Sequence, residues 1–164
     1  MAVLPDKVSL LEVSSGRNVA AKIVELTPAL ARTHIDRIWW SDFDEASAEE
    51  PPEDRDWKWA DVAARADGSR DFICVGVSIT GADEICGAMR YQTGAATFFN
   101  PTDLANEVML LATAPTSRGR PWANPGYPGV GSALLLRAVA HGDALGLQGR
   151  TVLRSIPVKA TIRF

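Results

Sequence analysis

The sequence has few of the residues that build metal centres and disulfide frameworks. It contains two cysteines, Cys74 and Cys86, and two histidines, His34 and His141, in 164 residues. Two cysteines cannot complete a zinc site by themselves, and neither histidine has a partner at ligand spacing, so we expect no metal. We interpret both histidines as structural and both cysteines as reduced, buried thiols.

The sequence also has no pattern typical of a membrane span or of a signal peptide. No apolar run approaches the roughly 20 residues that cross a bilayer. The first seven residues, Met-Ala-Val-Leu-Pro-Asp-Lys, lack a basic region followed by an apolar stretch, so no signal peptide is predicted. We therefore expect a cytoplasmic protein without a membrane partner.

The chain has no excess of basic residues. Lys and Arg total 17 against 20 Asp and Glu, which gives a formal charge of −3. A general nucleic-acid binder usually presents a basic face, so we expect no nucleic-acid partner, a charged tRNA as an acceptor being the one exception kept open. Hydrophobic residues at 46% and charged residues at 23% are ordinary globular values, and residues 1–164 predict a single domain.

Turn and capping signals divide the chain into nine elements. Thr27 followed by Pro28 predicts a helix start, and Pro51-Pro52 within an Asp- and Glu-rich stretch, 41–56, predicts a solvated acidic loop. A mostly antiparallel sheet that ends in a strand–helix–strand crossover indicates an α/β or α+β fold. The predicted order is strand 8–13, strand 19–25, helix 28–40, helix 57–66, strand 72–79, strand 84–92, strand 107–114, helix 132–145 and strand 151–156.

The last two predicted strands and the helix between them are the most regular part. Residues 107–114 form a near-continuous apolar run, which is typical of a strand buried on both faces. In the helix 132–145 we predict Leu135, Val139 and Leu145 to be among the residues that face the core.

The start of that helix has the composition of an anion site. Gly129-Val-Gly-Ser132 combines glycines, which allow close backbone approach, with the first N–H groups of a helix, which have no internal partners. Such amides suit a diphosphate. The pattern alone is weak, because no Gly-Lys-Ser/Thr follows as in a P-loop and the glycine spacing does not fit a Rossmann fingerprint. Ser132 is not predicted to be a nucleophile, because Gly-Val-Gly-Ser-Ala is not a Gly-x-Ser-x-Gly elbow.

Residues 107–164 resemble the acetyl-CoA-binding core of the GNAT superfamily of N-acetyltransferases. That family has an apolar strand ending in proline, then Arg/Gln-x-x-Gly-x-Gly/Ala, then an amphipathic helix. Here Val108-Met-Leu-Leu-Ala-Thr-Ala-Pro115 matches the strand and Gly129-Val-Gly131 matches the glycine pair. The resemblance implies a mixed, mostly antiparallel sheet flanked by helices, with a strand–helix–strand CoA-binding core. It assigns the N-terminal strands and acceptor-side helices to 1–66, and the central hairpin and CoA-binding core to 67–164.

The resemblance also implies which residues hold acetyl-CoA. The signature fits contiguously at 126–131, without its leading Arg or Gln, or in a split register in which Arg118-Gly-Arg120 supplies the first half. We favour the split register because Arg118 stands three residues after Pro115. Arg118 or Arg120 would then donate to a coenzyme phosphate, and the diphosphate would be bound by the amides of Gly129, Val130, Gly131 and Ser132.

The implied reaction is direct transfer of the acetyl group to an amine. A main-chain N–H among Leu111, Ala112 and Thr113 would polarise the thioester carbonyl, beside a fork between 108–114 and 151–156. Glu107 is the candidate general base, acting directly or through water. Asp103 is a weaker alternative.

The C-terminal end departs from the family pattern. The sequence ends at Phe164, where the resembling family continues with a tyrosine, often the general acid, and two further strands. Tyr91 and Tyr127 do not stand at the matching position. We keep three explanations: a truncated sequence, a fold completed by another chain, or a non-catalytic member.

The acceptor side carries aromatic residues around the acidic loop. Trp39, Trp40, Trp57 and Trp59 flank it, and acids with aromatic rings suit a cationic amine. The alternative is that two or three of these rings belong to the core. An amine-bearing small molecule, such as an aminoglycoside-like compound or a polyamine, and a protein N-terminus are all open as acceptors, and a homodimer is open as well.

Two alternatives to the acetyltransferase hypothesis remain open. One is a non-catalytic binding module with the same fold, in which the CoA pocket is retained or a partner chain completes the structure. The other is a binder of a different phosphate ligand at the same helix start, which predicts that a nucleotide without pantetheine binds as well as CoA.

Overall fold

The structure is a computed structural model that describes residues 6–41, 53–82, 84–115 and 126–153. The predicted order of nine strands and helices is confirmed, with boundaries that differ by a few residues at most ends. The strands are β1 Lys7–Glu12, β2 Arg17–Glu25, β3 Phe72–Ile79, β4 Ile85–Ala96, β5 Leu104–Thr113 and β6 Thr151–Leu153. The helices are α1 Pro28–Ala31, α2 Trp59–Ala66 and α3 Val130–Ala144, with a π-helical segment Arg32–Asp36 and a 3-10 turn Glu53–Asp56.

The six strands form one sheet in sequence order, β1 to β6. All neighbouring pairs are antiparallel except β5 and β6, which are parallel and are joined through α3. Antiparallel neighbours need only tight turns, whereas a parallel pair needs a crossover, which here is the helix. The predicted α/β class with a mostly antiparallel sheet is confirmed.

Each face of the sheet packs against its own helices. We call the side that contacts α3 the α3 face; its core includes Val77, Met89 and Tyr91 of the strands with Val130 and Leu134 of the helix. The opposite side is the α1–α2 face. Its core is built around Trp39 and Trp59 with small side chains of the strands and helices: Ala31, Ala60, Ala63, Ala88, Ala112 and Ala114.

The first helix is shorter than predicted. Thr27 caps α1 as expected, since its hydroxyl accepts a hydrogen bond from Leu30 N–H at 3.3 Å. The α-helix ends at Ala31, however, and a wider π-helical turn follows to Asp36. There the Asp36 carboxylate accepts hydrogen bonds from two first-turn amides of α2, so the wider turn lies where this side chain caps the next helix. Apolar spacing does not report such a change of helix type.

Two predictions about burial are wrong. Strand β5 is not buried on both faces, because residues 107, 109, 110, 111 and 113 remain half-buried. In α3, Val139 and Leu145 are exposed, whereas Leu135 is partly buried and packs against the core as predicted. The face that contacts the sheet is instead made mostly of small residues, because these allow a close approach to the strands: Val130, Ala133, Leu134, Ala138 and Gly142.

Candidate functional site

The loop before α3 ends in a backbone turn that requires glycine. Gly129, the N-cap residue, has φ +90° and ψ −1°, a left-handed conformation that L side chains rarely adopt. Its carbonyl accepts the first helical hydrogen bond, from Ala133 N–H at 2.9 Å. Gly129 supplies no side-chain cap bond, and the first-turn amides of Val130, Gly131 and Ser132 have no partner within the helix itself. The helix therefore begins with the open donors and positive dipole end that an anion needs.

The first turn of α3 lies against the end of β5. A Cβ on Gly131 would lie 3.8 Å from Leu111 Cδ2 and 3.9 Å from Thr113 Cγ2. The predicted diphosphate residues and the predicted thioester residues therefore share one site. One contact holds the preceding loop against the β1–β2 hairpin: Val13 N–H donates to Gly126 O at 3.1 Å.

A glycine in β4 allows this arrangement. A Cβ on Gly87 would lie 2.2 Å from Val130 Cγ1, closer than real Cβ atoms approach any neighbour. Strand interiors normally disfavour glycine, and such a glycine often marks a close backbone approach. The sequence analysis did not identify Gly87, although a glycine inside the apolar run Ile85-Cys-Gly-Ala-Met89 was the available signal.

Strand β5 has an irregularity in the middle of the site. The pairing with β4 shifts between Arg90 and Tyr91, which pair with Leu110 and Val108 and leave Met109 as an extra residue. Such a bulge bends a strand and redirects the residues beyond it. On its other edge, β5 pairs with β6 only from Asn106 to Val108, up to Leu153. Residues 154–156, the far side of the predicted fork, lie outside the described residues.

The ladder beyond the bulge determines where the main-chain groups of β5 point. Ala114 N–H donates to Cys86 O at 2.9 Å, so by the alternation of an antiparallel pair the main-chain groups of Ala112 also face β4. Those of Leu111 and Thr113 face the opposite edge. Of the three residues predicted to polarise a thioester, Leu111 and Thr113 therefore direct their main-chain groups toward the edge of β5 that pairs with β6 earlier in the strand, at Asn106–Val108.

Glu107 lies on the α1–α2 face at the start of β5. Its neighbours Asn106 and Val108 point to the α3 face: Asn106 Nδ2 donates to Ala138 O at 2.7 Å, and Val108 belongs to that core. Glu107 is half-buried and pairs in register with Gln92 and with Val152. Glu107 and Leu111 pair with Gln92 and Met89, which are three residues apart on β4. Since a strand rises about 3.3 Å per residue, Glu107 stands about 10 Å from Leu111 along the sheet.

The weaker candidate base is engaged elsewhere. Asp103 lies in the β4–β5 turn, where it forms an ion pair with Arg150 at 3.2 Å and accepts a hydrogen bond from Asn100 Nδ2 at 3.1 Å. The bond to Asn100 lies within the turn, and the ion pair joins the turn to the residue before β6. Arg118 and Arg120 lie outside the described residues, as does most of the predicted acidic loop, 42–52.

The tryptophans near the acidic loop divide into buried and half-buried rings. Trp39 and Trp59 are buried, and their rings meet edge to face with centroids 6.5 Å apart. Trp39 Nε1 donates to Ile85 O at 2.8 Å, whereas Trp59 Nε1 is buried with no partner in the described part of the chain. Trp57 and Trp40 are half-buried. The expectation that two or three rings belong to the core is confirmed for Trp39 and Trp59.

The surroundings of His141, Cys74 and Cys86 fit the structural roles that the sequence predicts for them. His141 Nδ1 and the buried Tyr91 hydroxyl form a hydrogen bond of 2.8 Å. Burial, with a smaller contribution from the cationic Arg137, lowers the pKa of His141. Burial also raises the pKa of Cys74 and of Cys86 to about 12, which fits inert thiols. In the described ranges no group of three or more His, Cys, Asp or Glu side chains could hold a metal ion.

Arg90 is a further charged residue that sequence analysis missed. It lies in β4 on the α1–α2 face, and its guanidinium carbon is 4.6 Å from the centroid of the Phe72 ring. Its Nε atom is buried without a hydrogen-bond partner, and in the described part of the chain it forms no ion pair. An arginine inside an apolar strand run was the signal that could have identified it.

A cavity of about 530 Å³ lies away from this site, where β2 ends beside the first residues of β3. Thr27, Ala66, Phe72 and Arg137 are among the residues that line it, and none of them belongs to β5 or to the first turn of α3. Arg137 is already paired with Asp6 at 2.9 Å. None of the described residues that the sequence predicts to bind acetyl-CoA lines this cavity. No helix in the described ranges is long and apolar enough to cross a membrane.

Comparison with known proteins identifies the fold. No protein-family profile and no curated protein matches the sequence. Among solved structures, the aminoglycoside N-acetyltransferase AAC(6')-Iy in complex with CoA has a TM-score of 0.54 at 13% identity, covering 86% of this chain and 80% of that one.

Two other structures share the fold. A transcriptional regulator from Bacillus halodurans has a TM-score of 0.53 at 14% identity, covering 87% of this chain and 86% of that one. A ribosomal-protein-alanine N-acetyltransferase from Brucella melitensis biovar Abortus has a TM-score of 0.50 at 16% identity, covering 86% and 85%. The resemblance found in the sequence is confirmed at the level of the fold: this chain has the fold of the GNAT N-acetyltransferases.

Proposed function

We propose that the protein is an N-acetyltransferase that moves the acetyl group of acetyl-CoA directly to an amine. The observation that carries the proposal is the left-handed Gly129 turn, which opens α3 against the bulged end of β5. It brings free amide donors and a strand edge to the same place. The fold, shared with an acetyltransferase solved in complex with CoA, supports the same conclusion.

Acetyl-CoA fits the described residues as a substrate. The amides of Val130, Gly131 and Ser132 would bind the diphosphate, and the strand edge at Leu111 and Thr113 would pair with the pantetheine amides. One of these two N–H groups would stabilise the negative charge that develops on the thioester oxygen. Ala112, whose main-chain groups face β4, would only support the strand, and Arg118 or Arg120 would contact a phosphate.

In the reaction, the amine nitrogen attacks the thioester carbonyl carbon. A C–N bond forms, the C–S bond breaks, and CoA leaves as a thiolate that takes up a proton. The attacking amine loses its proton to the Glu107 carboxylate. Because Glu107 stands about 10 Å along the sheet from Leu111, this proton would travel through water.

The test is release of free CoA thiol from acetyl-CoA in the presence of amine acceptors. We expect Glu107→Gln to lower the turnover number by about 10²–10⁴-fold, the usual contribution of general base catalysis. The matched control is Asp103→Asn, which changes a neighbouring carboxylate that is engaged in the β4–β5 turn and should retain most activity. Equal activity of the parent and Glu107→Gln would remove Glu107 from the mechanism.

A non-catalytic binding module is the second candidate. A transcriptional regulator has the same fold, so the fold is not confined to proteins named as enzymes. This observation favours the second candidate. This candidate predicts CoA binding without thiol release, in the parent as well as in Glu107→Gln.

A further inference from the structure

Among the cationic side chains of the described strands, Arg90 is the one that combines a buried nitrogen without a hydrogen-bond partner with a charge that no carboxylate in those ranges pairs. Its Nε is buried, and its guanidinium is held by the Phe72 ring at 4.6 Å. Removing a guanidinium from water is costly unless an anion compensates it. Stacking on an aromatic ring orients the group but leaves its hydrogen-bond donors available.

The position of Arg90 relative to the candidate base is defined by the strand register. Arg90 pairs with Leu110, and Gln92 pairs with Glu107, on the same α1–α2 face. Arg90 therefore lies further along the sheet than Glu107, level with the bulge and next to the Leu111 position. On this face α1 and α2 pack over Ala88 and Ala112, whereas Arg90, Gln92, Glu107 and Leu110 are only half-buried.

We propose that Arg90 binds a carboxylate of the acceptor, so that the acceptor is a zwitterionic peptide with a free amine and a free carboxyl end, not a polycation. This inference rests on the proposed function for the amine end. An anionic Glu107 beside a cationic Arg90 is complementary to such a molecule, while Arg90 repels polyamines and aminoglycosides from the same surface.

The spacing of the strands gives the length of the acceptor. The guanidinium lies over Phe72 of β3, and the amine must reach the outer edge of β5, two strands away. Two strand spacings amount to about 10 Å. An extended chain covers about 3.3–3.6 Å per residue, so three residues span about the same distance. A tripeptide with free ends therefore fits better than a single amino acid.

The experiment compares triglycine with triglycinamide, which differ only in the terminal carboxylate. Binding to the full-length protein is measured by NMR shifts, and acetylation by thiol release from acetyl-CoA, with spermidine as the polycationic probe. We expect the acid to bind about 10- to 100-fold more tightly than the amide, the range for a hydrogen-bonded charge pair. We also expect it to be acetylated with the lower KM.

Variants separate this role from a structural one. Arg90→Gln should abolish the preference for the acid and leave the affinity for the amide unchanged, and Arg90→Lys should restore part of the preference. Arg65→Gln, which removes an exposed arginine of α2, is the charge-matched control and should retain the full preference. A merely structural Arg90 would change the binding of the acid and the amide equally.

The proposal is overturned if the acid and the amide bind the parent equally, if neither binds, or if spermidine is preferred. Binding is measured without acetyl-CoA, so it does not depend on the proposed reaction. Calorimetric titration with CoA then distinguishes a failure of the role of Arg90 from a failure of the proposed acetyltransferase function. CoA binding without acid preference rejects only the role of Arg90, and acid preference without CoA binding rejects only the acetyltransferase.

Discussion

The two faces of the sheet hold their polar side chains by different means. On the α3 face each such side chain keeps at least one hydrogen bond: Arg137 to Asp6, His141 to Tyr91, and Asn106 to a carbonyl of α3. On the α1–α2 face, Arg90 and Trp59 are held by ring contacts, and each has a buried nitrogen without a partner in the described ranges. Arg137 Nε and Asn106 Oδ1 on the α3 face are also buried without a partner in the described part of the chain. The two faces therefore differ in what holds each side chain, which is a hydrogen bond on the α3 face and a ring contact for Arg90 and Trp59.

The largest expected effect on this comparison comes from disturbing the α3 face. Gly87→Ala would place a Cβ 2.2 Å from Val130 Cγ1 and push α3 away from the sheet. Overpacking of this kind costs about 1–3 kcal/mol of unfolding free energy. Chemical denaturation should show this loss together with weaker CoA binding. Unchanged stability would mean that α3 does not depend on the close approach at Gly87.

Two tryptophan variants compare an indole N–H that donates a hydrogen bond with an indole N–H that donates none in the described ranges. Trp39→Phe removes the hydrogen bond to Ile85 O and leaves a buried carbonyl unsatisfied, whereas Trp59→Phe removes an indole N–H that has no partner among the described residues. Both variants lose the same ring atoms. We expect Trp39→Phe to be the more destabilising of the two by about 1 kcal/mol. Equal losses in denaturant unfolding would contradict the difference between these two donors.

Gly131→Ala tests whether the glycine at this position is needed for ligand binding or for helix packing. Its Cβ would meet only ordinary contacts, at 3.8 and 3.9 Å, and alanine favours a helix over glycine by about 0.5–1 kcal/mol. We therefore expect the unfolding free energy to rise by up to that amount while the affinity for CoA falls. A rise in stability with unchanged CoA affinity would exclude close approach of the ligand at Gly131.

The smallest expected effect is a change in the pH dependence of stability. The pKa of His141 is lowered from its ordinary value of 6.5 by burial and by Arg137. As the pH falls below 6.5, the unfolded chain takes up a proton that the folded chain binds less well, so the unfolding free energy decreases. Thermal unfolding between pH 7.5 and pH 5 should show this slope in the parent and in His34→Gln, and a flatter one in His141→Gln. An unchanged slope in His141→Gln would assign it to other groups.

The fold could be predicted from the sequence because its elements carry strong local signals, such as the Thr27–Pro28 helix start and the apolar run of β5. The packing face of α3 could not. Hydrophobicity pointed to Val139 and Leu145, which are exposed. The contact with the sheet is made mostly by small residues whose advantage, close approach, depends on Gly87 in a distant strand.

The candidate site could be predicted only in part. The glycine pair 129–131 and the strand 108–113 are local patterns, and the structure brings them into contact. Arg90 and the bulge at Met109 depend on the pairing of β4 with β5 and on the ring of Phe72. Pairing register and cross-strand contacts of this kind are not encoded in any one segment.

Titration calorimetry of the folded, full-length protein with CoA and with pantetheine, which lacks the diphosphate, tests the account most directly. If the first turn of α3 and the edge of β5 form one ligand site, CoA will bind saturably and pantetheine at least about tenfold more weakly, as the loss of charge-assisted hydrogen bonds implies. Absence of CoA binding by protein that unfolds cooperatively would contradict the account.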